Sequence, residues 1–260
     1  MNMQQFNTLE VQKKNYVGWI ILNRPDKYNA FNEEMMAEIK DALSYFKNDK
    51  DVKVVSFKGT GKTFASGADI ADLQKMTSLD ALFPSMQPLY DLIYNYEKPT
   101  IAAIQGYAFG GGMELAAACD IRVATNNVKF GLPECKLGVM PGAGGTQRIV
   151  RLLGEAKVKE LVFLGDVLDA HQAKQLGFVS EVVSQDELDE TVLALAGKIL
   201  ERGSLALRVS KLAIQRSSDI PLEVGLLLEN ALQSFLFSTE DKQEGVAAFL
   251  EKRKPNFTGV

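Results

Sequence analysis

The sequence predicts an α/β fold followed by a helical tail, and three observations support that expectation. Over the first three quarters of the chain, short β-rich runs alternate with stretches of helical apolar spacing. From Glu187 onward only helical stretches remain. A strand followed by glycine recurs, from Val52, Thr100 and Phe178, at an irregular interval that hints at a spiral rather than a repeat array.

Taken in order, Val17 to Leu22 is a strand ended by Asn23-Arg24-Pro25. Asn32 can cap an acid-first helix to about Phe46, with Phe31, Met35, Ile39, Ala42, Leu43 and Phe46 near helical spacing. Val52 to Phe57 is a strand closed by Gly59-Thr60-Gly61. A small-residue loop then enters a helix near Asp69. Ser78 to Tyr96 reads as one helix, with Pro84 or Pro88 as the place for a bend. Thr100 to Ile104 is a strand, Gly111 to Cys119 a helix and Ile121 to Ala124 a strand. Thr146 to Leu153 and Glu155 to Leu164 are helices divided by Gly154, and Asp169 caps a short helix that holds His171. Phe178 to Val183 is the last strand. Helices follow over roughly 187–201, 204–217, 221–237 and 239–254. The pattern changes near residue 200, which divides an α/β core, 1–200, from a helical region, 201–260. The apolar face of Glu244 to Leu250 suits either a core or a subunit contact.

Bulk properties exclude several classes. The 260 residues, 46% apolar and 24% charged, bury a core without staples. A net charge of −4 leaves no domain-wide basic field for a nucleic-acid backbone, though a local patch for a small anion stays open. No apolar run is long enough to span a membrane, and the amino-terminal stretch MNMQQFNTLEVQKK has no leader pattern. The expectation is a cytoplasmic protein with no membrane partner. Cys119 and Cys135 have no metal-type spacing and are expected to be buried free thiols. With His171 as the single histidine, a zinc site or a histidine-based triad would have to be built around one residue.

Three segments combine groups suited to chemistry. In Lys62-Thr63-Phe64-Ala65-Ser66-Gly67-Ala68-Asp69-Ile70, small residues let a ligand approach the backbone, and the Ala68 amide lies just before a helix where donors are unpaired. The same loop equally suits tight packing under a sheet. In Gly110-Gly111-Gly112-Met113-Glu114, glycines open a helix and expose N–H groups at its positive end. Glu114 follows Gly111 by one turn. One turn could thus present an oxyanion donor and a carboxylate, or simply an acidic helix start. Glu134 follows Pro133 among apolar neighbours that would raise its pKa and favour a proton donor; an exposed loop glutamate is the alternative. Gly142-Ala143-Gly144-Gly145 matches neither the P-loop nor the dinucleotide fingerprint, since Gln147 stands where a third glycine is needed.

Together these segments resemble the crotonase superfamily, nearest to enoyl-CoA hydratases. The likeness extends over essentially the whole chain: Asn23-Arg24-Pro25, Phe64 to Ile70, Gly110 to Asp120, Pro133 to Arg148, and Phe249-Leu250-Glu251-Lys252-Arg253. The resemblance implies a spiral of ββα turns with a C-terminal helical region that builds trimers, or dimers of trimers, and closes the active site. It implies an acyl-CoA thioester substrate and reversible syn-type addition of water to a 2-trans-enoyl-CoA, giving a 3-hydroxyacyl-CoA. Glu114 and Glu134 match the two catalytic carboxylates, Ala68 and Gly111 the oxyanion donors. Lys62, Ala65, Ala68, Asp69, Ile70, Gly111 and Lys252 match substrate and CoA positions, with Lys252 supplied by a neighbouring subunit. Lys27 is a further candidate near the adenine. Ala71 stands where many hydratases carry a second lysine. No metal or redox cofactor is implied; coenzyme A belongs to the substrate. Leu73, Met76, Leu82, Phe83 and Met86 are candidates for an acyl-pocket wall. Other crotonase reactions, such as enoyl-CoA isomerisation or methylglutaconyl-CoA hydration, remain open. A relative that binds AU-rich RNA uses a lysine-rich helix; here Glu33 to Asp49 sets Lys40 and Lys47 against Glu33, Glu34, Glu38, Asp41 and Asp49.

Overall fold

The computed structural model describes residues 6–260. Residues 1–5, the start of the stretch read for a leader, lie outside the described residues. The chain divides into two compact units, Met1–Leu193 and Ala194–Val260.

The first unit begins with a hairpin. Strand β1 (Leu9–Lys14) pairs antiparallel with β2 (Val17–Leu22), turning through Asn15 and Tyr16, both at positive φ. Two consecutive left-handed residues match the strand twist of a tight hairpin. β1 escaped the sequence reading because it is an edge strand with one buried residue in six. Helix α1 (Glu33–Asn48) starts as expected: the Asn32 side chain accepts from Met35 N at 3.0 Å. Strand β3 (Val54–Gly59) runs parallel to β2. It begins two residues later than expected.

The expected single helix over 78–96 is broken. After the short α2 (Ile70–Leu73) come α3 (Ser78–Leu82) and α4 (Met86–Tyr94). Pro84 lies between α3 and α4 and cannot continue a helix, whereas Pro88 falls in the first turn of α4, where its missing N–H is harmless. Strands β4 (Thr100–Ile104) and β5 (Tyr107–Phe109) bracket Gly106, which takes φ +64. Helix α5 (Gly111–Ala118) is buried along all its length. Strands β6 (Ile121–Thr125) and β7 (Lys129–Gly131) follow. Beyond a 3₁₀ turn at Glu134–Leu137 and a π turn at Gly145–Ile149 lie α6 (Val150–Leu153) and α7 (Glu155–Lys159). A second π turn, Glu160–Leu164, leads to β8 (Val167–Asp169), α8 (Ala170–Gln175) and β9 (Glu181–Val183). Asp169 and Gln172 form a reciprocal capping box on α8, and His171 is an exposed residue of its first turn.

Six strands form one sheet in the order β1-β2-β3-β4-β6-β9, parallel apart from the β1 hairpin, and β5-β7-β8 form a second, smaller sheet. The fold is the ββα spiral type. Phe31, Phe46, Phe57, Phe64, Tyr90, Phe130 and Phe178 are the largest aromatic residues fully enclosed in the core. Each such ring contributes roughly 1.5–3 kcal/mol of burial. Cys119 is buried, as expected, but Cys135 is exposed because it lies on the 3₁₀ turn; neither forms a disulfide.

Helix α9 (Leu188–Leu200) spans the division between the units, so the break falls inside it rather than near residue 200. The second unit continues with α10 (Ser204–Arg216), α11 (Leu222–Phe237) and α12 (Glu240–Leu250). Its final segment is tied down by Asp241, which accepts from Thr258 N and Gly259 N. Arg253 pairs with Glu244. Among the described residues no helix is long and apolar enough to cross a membrane.

Candidate active site

The start of α5 is shaped by contacts that exclude side chains. Gly110 sits at φ 52, ψ −124, and a methyl there would lie 2.9 Å from Glu134 Oε1. A methyl on Gly112 would collide with the Ala65 carbonyl. The glycines therefore let a helix end, a loop and a carboxylate converge.

Glu114 is 2% exposed. Its Oε1 accepts from Ala143 N at 2.8 Å and Gly145 N at 2.7 Å. Burial pushes its pKa above the ordinary carboxylate range, and the Gly145 and Ala143 amides and the Arg148 charge oppose that rise. The glycine run at 142–145, which fits no phosphate motif, thus serves a carboxylate.

Glu134 begins the 3₁₀ turn after Pro133. Its Oε2 is buried without a hydrogen-bond partner. Burial lifts its pKa to about 7; its own amide opposes the rise and the charge on Glu114 adds to it. Glu134, twenty positions away in sequence, therefore lies within reach of the charge on Glu114. An unpartnered acceptor in such a place favours the protonated form, poised to give a proton to something that enters.

Gly67, next to Ala68, is brought against Gly111. The segment 65–69 is held on both flanks by isolated bridges, with Gly67 between them at φ +98. Ala65 N donates to Tyr107 O and Phe109 N to Ala65 O, while Phe31 N donates to Gly67 O and Asp69 N to Phe31 O. In a trans peptide the N–H points opposite to the C=O. The bonds to Phe31 use Gly67 O and Asp69 N, which leaves Ala68 N–H directed to the other side. A methyl on Gly67 would lie 3.2 Å from Gly111 N, so the two backbones pass in direct contact. Tyr90, fully buried on α4, donates its hydroxyl to Gly111 O at 2.8 Å. Ala68 is exposed and Gly111 buried.

The other candidates divide. Asp69 has its carboxylate engaged within the fold: it caps α2 through Ala71 N and pairs with Arg24 Nη2 at 2.8 Å. The Arg24 guanidinium holds its pKa below the usual range. Ala65 contributes backbone bonds, and Ile70 is exposed at the start of α2. Lys62 and Lys27 are exposed on loops of the first unit, and Lys252 is exposed in the second unit at φ 56. Of the proposed wall, Met76, Leu82 and Phe83 are exposed, while Met86 is partly covered and packs towards Gly111. Ala143, Gly145, Tyr90 and Arg148 were not picked out from the sequence as site residues. The Gly-Ala-Gly-Gly run was their one visible signal.

Among the described residues, no group of three or more His, Cys, Asp or Glu side chains is placed to hold a metal ion. The arrangement offers two carboxylates, one of them without a partner for one oxygen, next to two backbone donors.

Residues 12–260 match the family described as enoyl-CoA hydratase/isomerase. A probable enoyl-CoA hydratase of Mycobacterium bovis is 42% identical over 253 residues, 97% of this chain and 98% of the relative. The crotonyl-CoA hydratase of Syntrophomonas wolfei is 41% identical over 97% of this chain and 98% of its own length. A crystal structure of an enoyl-CoA hydratase subunit from Geobacillus kaustophilus superposes with a TM-score of 0.94 at 42% identity, covering 99% of this chain and 100% of that one.

Proposed function

The chain belongs to the enoyl-CoA hydratase/isomerase family, and from that premise we propose that it is an enoyl-CoA hydratase adding water reversibly to a 2-trans-enoyl-CoA. The observation that carries the proposal is the pairing of Glu114 with Glu134, whose buried Oε2 has no partner, beside the Ala68 and Gly111 amides. Attack of water on the β-carbon drives negative charge onto the thioester oxygen. Two fixed N–H donors stabilise that enolate, and loss of one such donor costs about 3–4 kcal/mol of barrier. Glu114 holds the water and takes its proton; Glu134 delivers a proton to the α-carbon. Both acids act from one side, which gives syn addition. Dehydration uses the same groups in reverse. The scheme calls for no metal or redox cofactor, since coenzyme A enters as part of the substrate.

Two carboxylates favour hydration over isomerisation, for which one acid is enough to carry a proton along the acyl chain. The apolar residues Leu82, Phe83 and Met86 suit a lipid-like acyl group. Lys62 and Lys252 are proposed to meet the CoA phosphates. The same proposal includes a homo-oligomer, a trimer or a dimer of trimers, supported by exposed apolar side chains on α10–α12 such as Ile214, Leu222 and Phe249. It includes a cytoplasmic setting, supported by two cysteines that form no disulfide. RNA binding through α1 is disfavoured, because Lys47 is paired with Glu97 and acids outnumber bases on the helix.

The test is hydration of crotonyl-CoA by Glu114→Gln and Glu134→Gln. Each is expected to lower kcat by roughly 10²–10⁴-fold, the usual weight of a positioned acid or base. Near wild-type hydration by either variant would overturn the two-carboxylate scheme.

A further inference from the structure

We propose that Arg148 is a positioning residue that fixes Glu114 by clamping the loop whose amides hold it. The inference rests on the assignment of Glu114 as the water-holding carboxylate and adds a residue outside the carboxylate pair and its oxyanion donors.

Among the described residues, Glu114 hydrogen-bonds only main-chain donors through its side chain. Its Oε1 is located by two main-chain donors, Ala143 N and Gly145 N, both on a loop with glycine at 142, 144 and 145. Such a loop has much conformational freedom to lose, so something must hold it. Arg148 does this in three ways. Its Nη1 donates to Ala143 O at 3.0 Å, and its own amide donates to Gly144 O at 2.6 Å. Its guanidinium lies so close over Gly144, at φ +115, that a methyl there would collide with it. The same side chain that grips the Ala143 carbonyl thus sets the residue whose N–H meets Glu114.

Arg148 is itself anchored to α4. Its Nη2 bonds the Asp91 carboxylate, and the guanidinium carbon stands 5.2 Å from the centre of the Tyr94 ring. α4 also carries Tyr90, whose hydroxyl pins Gly111 O. One helix therefore references both halves of the site, the oxyanion donor through Tyr90 and the carboxylate loop through Asp91 and Arg148. At 13% side-chain exposure, the guanidinium is shielded enough for geometry and charge to be felt.

The experiment measures kcat, KM and the pH profile of crotonyl-CoA hydration for Arg148→Gln, Arg148→Lys and Asp91→Asn, each checked for wild-type oligomeric state and unfolding temperature. Arg148→Gln is expected to lower kcat about 100-fold, the usual effect of a misplaced catalytic group, with KM within about threefold. Arg148→Lys, which retains the charge, should recover part of the loss. The acidic limb of kcat/KM should move to higher pH in Arg148→Gln, because a positive charge near Glu114 is gone. Glu134, Tyr90 and Asp91, the other ionisable groups facing this space, are unaltered in that variant. In a Glu114→Gln background, Arg148→Gln should cost less than about threefold more, since its effect passes through Glu114. A folded Arg148→Gln with kcat within threefold of wild type overturns the clamp, and so does an undiminished loss in the Glu114→Gln background. If Arg148→Gln does not fold, Asp91→Asn decides. It should lower kcat about tenfold at unchanged KM, and wild-type kinetics would overturn the clamp. Full hydration activity in Glu114→Gln alone would instead refute the assignment of Glu114 as the water-holding carboxylate beneath it.

Discussion

In the proposed scheme, Glu134 is the residue on which the chemistry turns at neutral pH. Its pKa is lifted to about 7, with burial the main cause, while Glu114 is also raised but is held by two amides. The hydrating form has Glu114 ionised and Glu134 protonated; the dehydrating form has the reverse. Both carry one proton on the pair, and no net proton is exchanged in adding water. Hydration and dehydration must therefore share one pH dependence for kcat/KM. Both rates should fall together above about pH 7, as the pair loses its last proton. Both should fall again at low pH, as the pair takes up a second one. A hydration profile that stays flat from pH 6 to 9 would contradict a proton carried on these two acids. The sequence singles out both residues as candidates, through apolar neighbours, a glycine-opened helix and the family resemblance. It does not show the holding amides of Ala143 and Gly145, because a main-chain donor has no residue-type signature.

Short elements, more than the large sheet, place the proposed oxyanion donors. Asp69 follows Ala68 and caps α2, and Arg24 binds it from the turn after β2 while donating to Ala30 O. Asp69→Ala removes the cap and leaves a half-enclosed guanidinium unpaired. The expected loss is about 1–3 kcal/mol of unfolding free energy, read from urea midpoints. Asp69→Asn, which can still cap, should lose less. Equal stability of Asp69→Ala and wild type would show that the pair does not hold this loop. The elements with strong local signals were legible: the Asn32 cap on α1, the buried strand β4, the Asp169 cap on α8. Those without were not. β5, β7 and β8 are three residues each, too short for alternation to register, and they exist because Gly106, Gly131 and Asp169 let three distant segments pair. The break between α3 and α4 was visible as Pro84, but periodicity could not say whether the chain bends or stops there.

The second unit poses a problem that one chain does not solve. α11 is apolar around most of its circumference, with Leu222, Val224, Leu226, Leu227, Phe235 and Phe237 all exposed and none of its residues buried. A helix of that kind is ordinarily enclosed. Leu222 at 76% and Phe249 at 83% exposure add to the same account. Soluble monomers rarely leave contiguous apolar patches much above a few hundred Å² in water, and burial is worth roughly 25 cal/mol per Å². Closed symmetric assembly of identical chains is the common way to cover such a face. The helical tail was legible from its periodicity, but its purpose was not, since a core helix and an interface helix share the same spacing. At micromolar concentration the protein should sediment well above its 28.6 kDa chain mass, at three or six times that value. Leu222→Glu combined with Phe249→Glu places charge in the covered face and should shift the population towards smaller species. Burying an unpaired carboxylate costs several kcal/mol at each copy of the contact. If Lys252 from a neighbouring chain meets the CoA phosphates, KM for crotonyl-CoA should rise along with dissociation, and Lys252→Ala in the intact assembly should raise KM without dissociating it. A wild-type chain that sediments as a monomer and still hydrates crotonyl-CoA at full rate would remove both the oligomer and the shared lysine at once.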